Sequence, residues 1–160
     1  MNQLLSEFQN LNTFIERLKG LDETKLEQPL SEGKWSIKEV VAHLYRWDVF
    51  LLETALATAK VDKRVDFPSH SEYNFDSEKF SKTISLEELL QMTIDKRNQL
   101  IDELMKVENL EEPILVQGTT HCPHTGTRYS LHYLIREFVD HDVQHIKQME
   151  EFLGKSILQN

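Results

Sequence analysis

The sequence predicts an all-α fold, an up-down four-helix bundle with long connecting loops. Apolar residues recur at three- and four-residue spacing in four separate segments, the period that places them on one face of a helix. Two of those segments begin with a Ser followed three residues later by a Glu, the signature of a capped helix start. The length of 160 residues fits one domain, residues 1–160, with a core large enough to fold unaided. Hydrophobic residues at 39% and charged residues at 28%, spread along the chain, favour a folded protein over disorder.

The first helix spans roughly Asn2 to Lys19, with Leu4, Phe8, Leu11, Ile15 and Leu18 on one face. The second starts at W-S-I-K-E, where Ser36 and Glu39 form a capping box, and carries Ile37, Val40, Val41, Leu44, Asp48, Leu51, Leu52 and Ala55. A third begins with Ser85 and Glu88 and presents Leu86, Leu89, Leu90, Thr93, Arg97, Leu100, Ile101 and Leu104. The fourth, capped by Ser130, runs to about Leu153, where Gly154 is expected to end it. Between them lie a short turn from Leu21 to Gln28, a linker from about Val61 to Thr83, and a loop from about Glu108 to Tyr129. The Gly, Pro and Thr content of the last suits an extended or hairpin excursion. Linkers of such length in a bundle often form lids or binding edges.

A formal net charge of -9 argues against the basic footprint that nucleic-acid binding needs. No apolar run is long enough to cross a membrane, and the first ten residues lack the pattern of a secretory signal. The single cysteine, Cys122, has no internal disulfide partner, so a reducing cytoplasmic setting is expected.

The informative residues occupy core positions with the wrong chemistry. On the fourth helix Asp142 and His145 interrupt the apolar stripe and His141 borders it. The spacing of His141 and His145 puts both imidazoles on one face a turn apart, from where both reach a single ion. On the second helix Asp48 sits at a ladder position and His43 flanks the stripe. Burying such groups without partners costs ~1 to 3 kcal/mol each, and a metal ion would serve the three histidines together. Imidazoles without a carboxylate suit Zn2+ or Ni2+ better than Mg2+ or Ca2+. Three protein ligands also leave a coordination position open, as catalytic sites do.

Arg97 stands mid-stripe on the third helix, as Asp48 and Asp142 do on theirs. These are the candidate catalytic or outer residues: the aspartates accepting the second ring N–H of the histidines, and Arg97 balancing charge or receiving an anionic substrate. Slightly rotated helices would instead carry all three to solvent. His121, Cys122 and His124 form an H-C-P-H cluster, read as a mobile loop bordering the site, with Cys122 a free thiol. His70 and His132 belong to no constellation.

The stretch G-K-W-S-I-K-E-V-V-A-H-L from Gly33 to Leu44, with H-D-V-Q-H-I from His141 to Ile146, resembles the DinB-like (YfiT-like) superfamily of four-helix metalloproteins. The likeness covers nearly the whole chain and is strongest for the branch with bacillithiol-dependent S-transferases and metal-dependent hydrolases. It implies one divalent metal ion on His43, His141 and His145. For the function it implies a metal-dependent thiol S-transferase whose partners are a low-molecular-weight thiol and an electrophilic substrate. A hydrolase using the open position to activate water, or a non-catalytic metal-binding stress protein, are the alternatives. Members of the family are often dimeric, so a homodimer is also expected.

Overall fold

Helix α1 (Gln3–Leu18) starts where the side chain of Asn2 accepts the Leu5 N–H at 2.8 Å. The structure, a computed structural model, describes residues 1–158, with side chains to residue 154. A single turn α2 (Glu23–Leu26) follows, and then α3 (Ile37–Phe50). The expected capping box is formed at its start: the Glu39 N–H donates to Ser36 Oγ at 3.2 Å and the Ser36 N–H to Glu39 Oε1 at 3.1 Å. A π turn (Leu51–Ala55) carries α3 into α4 (Leu56–Asp62) without a break.

After a short strand β1 (Arg64–Val65) comes α5 (His70–Ser81), inside the stretch expected to be linker. Its apolar residues make no continuous ladder, because it packs through small side chains: Ser77 and Ser81 are buried and donate back to Tyr73 and Glu78 carbonyls. A capping signal was nonetheless present, since the Ser69 hydroxyl accepts from the Glu72 N–H. Helix α6 (Leu86–Met105) is capped by Ser85 as expected, and α7 (Leu131–Leu158) by Ser130, whose hydroxyl accepts from the Tyr133 N–H at 3.0 Å. Gly154 does not end α7, which continues to Leu158: the glycine does not take the left-handed backbone conformation that would cap the helix.

The four-helix bundle expected from the sequence is what the chain forms, from α1, α3 with α4, α6 and α7. Within it the directions run up, down, down, up, not in strict alternation. Phe8 and Asn12 of α1 meet Arg97 and Asn98 of α6, and Lys19 meets Gln91, so these two are antiparallel. Asp48 and Lys60 pair with Arg97 and Glu103, which makes α3–α4 parallel to α6. Glu7 and Arg17 pair with Arg136 and Glu150, so α1 and α7 are parallel. Two consecutive parallel helices need a return segment, and α5 is that segment. It runs back along α3, with Tyr73 donating to the Arg46 carbonyl, Phe80 stacked on Tyr45, and Trp35 donating to Glu78.

The hairpin excursion before α7 is also present. Val116 bridges Thr119, His121 bridges Arg128, and β2 (Leu115–Val116) pairs in parallel with β1 through Arg64↔Leu115 and Val65↔Val116. The bundle interior is two apolar clusters, one around Phe8, Trp47, Leu100 and Leu134, the other around Ile15, Val41, Leu90 and Met149. Between them lies a level of buried polar groups from all four long helices: Asn12, His43, Asp48, Thr93, Arg97 and Asp142.

Candidate metal centre

His43 is placed by the capped start of α3, two turns into the helix, where it turns inward at 4% exposure. His141 and His145, one turn apart on α7, face it and are half-buried. Their tips converge: His141 Nε2 lies 3.2 Å from His43 Nε2 and 3.1 Å from His145 Nε2. All three donor atoms fall within 4.8 Å of one another, and no other such group of histidine, cysteine or carboxylate ligands exists among the described residues.

The spacing fits a metal. Two nitrogens each about 2.0–2.1 Å from a tetrahedral ion are about 3.3 Å apart, close to the observed separations. Burial, reinforced by the neighbouring imidazoles, lowers the pKa of His43 to about 3, and burial likewise takes His141 to about 4 and lowers His145. At neutral pH the rings are therefore uncharged and their lone pairs are available. With the proton of each ring on Nδ1, the three Nε2 lone pairs face one another at this spacing, and a divalent cation would remove their repulsion. The far ring nitrogens, Nδ1 of all three, are buried and lack a hydrogen-bond partner.

Asp48, Arg97 and Asp142 do form one buried layer. Arg97 forks onto Asp48 through Nε to Oδ2 at 2.7 Å and Nη2 to Oδ1 at 2.9 Å. Its Nη1 donates to Asp142 Oδ2 at 2.8 Å and to the Phe8 carbonyl at 2.6 Å, and the guanidinium carbon lies 3.8 Å from the Phe8 ring centre. Burial opposes the guanidinium charge, but the two carboxylates more than offset it and hold Arg97 protonated. Burial also pushes the Asp142 carboxyl up to about 6, against the pull of Arg97.

Two expectations about this layer need correction. Both carboxylates are turned to Arg97, so neither takes the second N–H of a histidine, and Arg97 at 1% exposure is sealed from any substrate. The reason is competition: a bidentate guanidinium satisfies a buried carboxylate better than one imidazole N–H does. The His121–His124 loop is also displaced from its expected place beside the metal centre. It packs where α7 begins, and from Leu131 to His141 the helix rises about 15 Å. Cys122 is free and covered there, with the Tyr133 and Thr125 hydroxyls holding its thiol down at about 6.

In place of that loop, α5 and the approach to α3 wall the centre. The Trp35 ring centre is 5.0 Å from that of His43, and His70 stacks edge-on to Trp47 at 5.4 Å. Sequence spacing gave no sign of His70 because its neighbours in space come from other helices. On the other side a cavity of about 470 Å3 reaches His145, with Trp35, Val40 and Phe152 on its walls and Lys34 and Glu151 at its rim.

The lowered imidazole pKa values predict a pH dependence. The unfolded chain takes up protons on these histidines near pH 6.5, whereas the folded chain resists until about pH 3 to 4. Stability of the metal-free protein is therefore lost on this account as pH falls from 6.5 toward 4. The raised Asp142 acts in the opposite sense over its own window, from about 6 down to 3.8. Urea unfolding at pH 7 and pH 5 should show a smaller acid penalty in a His43→Gln variant than in the parent. An unchanged penalty would contradict buried neutral imidazoles.

A profile of the DinB superfamily matches residues 9–149, a span that holds all three histidines, and the chain belongs to that superfamily. Among solved structures the fold is similar to that of YfiT from Bacillus subtilis, described as a probable metal-dependent hydrolase with an unusual four-helix bundle topology. The TM-score is 0.75 at 16% identity, over 96% of this chain and 86% of that one, a likeness of fold. No curated protein sequence matches. No helix among the described residues is long and apolar enough to cross a membrane.

Proposed function

We propose that the protein is a metal-dependent thiol S-transferase of the cytoplasm, which joins a low-molecular-weight thiol to an electrophilic small molecule. The observation that carries this reading is a three-imidazole centre beside a cavity of about 470 Å3 that touches His145. Zn2+ or Ni2+ is the ion that such a nitrogen set suits. When bound there, it supplies a soft Lewis acid with a free position, lowering the pKa of a thiol from its ordinary ~8.5. His43, His141 and His145 hold the ion from two helices and stay neutral near pH 7. Trp35, Val40 and Phe152 give the cavity an apolar wall that excludes water from one side. Lys34 and Glu151 at the rim offer one charge of each sign to the polar ends of the reactants.

Hydrolysis is the second reading, favoured by the description of YfiT as a metal-dependent hydrolase. The same open position would then activate water. Titration of the Co2+-substituted protein with low-molecular-weight thiols separates the two. A sulfur-to-cobalt charge-transfer band that disappears in His141→Ala is the expected result. If no thiol perturbs the cobalt spectrum while small amides or carbonyl compounds do, hydrolysis is the better account.

A further inference from the structure

A histidine that holds a metal through Nε2 carries a proton on Nδ1, and an acceptor for that proton fixes both tautomer and ring orientation. The two carboxylates nearest in the bundle are committed to Arg97. What remains beside His43 is the carboxamide of Asn74 on α5. Asn74 Oδ1 and His43 Nδ1 are both buried and both without a partner, an acceptor and a donor each missing what the other offers. The Asn74 side chain stands close enough to the His43 ring to act on it as a hydrogen-bonding neighbour. Leaving two such groups unpaired costs about 1 to 3 kcal/mol apiece, a cost that pairing them removes.

The segment that carries Asn74 is firmly held. The preceding Tyr73 donates to the Arg46 carbonyl of α3, and Glu78, one turn on, accepts from Trp35, the residue whose ring packs on His43. We propose that Asn74 is a positioning residue of the metal centre: its Oδ1 accepts the Nδ1–H of His43 and so aims the Nε2 lone pair at the ion. A carboxamide does this without adding negative charge, which leaves the centre more electrophilic than an Asp at the same place. The inference rests on the metal-centre reading above, and it assigns α5 a part in metal binding that neither histidine motif contains.

The test is competition for Zn2+ against a chromophoric chelator, made on the parent, Asn74→Leu and Asn74→Asp proteins, with the ring N–H resonance of His43 followed in the zinc-loaded forms. Leu keeps the branching at Cγ and the number of heavy atoms and removes the acceptor, so affinity should fall 10–100-fold and the N–H resonance should be lost to solvent exchange. Asp keeps the acceptor and should bind zinc at least as tightly as the parent. Parent-like affinity in Asn74→Leu overturns the proposal, and so does equal weakening by Leu and Asp, which would mean that position 74 matters only for packing. A slowly exchanging His43 N–H in the unmutated protein supports the proposal without any substitution, and its absence counts against it. If the parent binds no zinc at all, the metal centre itself fails; if it binds one ion that Asn74→Leu holds equally well, only the role of Asn74 fails.

Discussion

Replacing Arg97 with Met should lower the stability of the metal-free protein by about 3–5 kcal/mol, the range for removing one partner of a buried ion pair. Met keeps the apolar stem and removes the guanidinium, so the lost charge and hydrogen bonds dominate the effect. Four hydrogen bonds disappear at once, and the carboxylates of Asp48 and Asp142, at 1% and 4% exposure, are left without a counter-charge. The Phe8 carbonyl loses its donor as well. Against a total stability of typically about 5–15 kcal/mol the effect is large, and urea unfolding will read it directly. Changing Asp48 and Asp142 to Leu in the Arg97→Met background should recover much of the loss, because an apolar layer has no desolvation penalty to offset. A single-variant change within about half a kcal/mol would show that the layer is not the sealed charge cluster its geometry describes.

Removal of His141 should have the largest effect on metal binding. Its Nε2 stands between the other two, at 3.2 Å from His43 and 3.1 Å from His145. Without it the remaining pair spans two helices with no shared neighbour, and zinc affinity should fall beyond the 10–100-fold that loss of an outer hydrogen-bond partner costs. The same experiment has a stability readout. An ion present at a thousand times its dissociation constant stabilises the folded state by about 4 kcal/mol, so the parent should melt at a higher temperature with zinc than without, and His141→Ala should not. Elemental analysis of tag-free protein gives the stoichiometry. One zinc per chain retained after all three histidines are changed to alanine would dismiss the centre.

The site residues were legible because they violate a periodic pattern. His43, Asp48, Arg97, His141 and Asp142 stand on or beside helical stripes that are otherwise apolar, and burial of such groups without a common purpose is costly. The helices themselves were legible from spacing and from the Ser36–Glu39, Ser85 and Ser130 caps, all local signals. Helix α5 escaped because amphipathic periodicity requires an apolar stripe, and this helix buries Ser77 and Ser81 instead. Missing α5 hid the return segment and with it the parallel run of α3 and α6.

By itself, then, the sequence determined the all-helical bundle, the three histidines that can share an ion, and the charged layer across the core. Each depends on the position of a residue within its own helix, which is set by the period of 3.6 residues and the cap that starts the count. Only the tertiary structure decided which groups those residues meet: that Asp48 and Asp142 serve Arg97 and not the imidazoles, that the His121–His124 loop lies at the far end of α7, and that Trp35, His70 and Asn74 enclose the centre. Contacts between helices depend on their directions and rotations, which competition among hydrogen bonds and the packing of small side chains settle only when the whole chain is assembled.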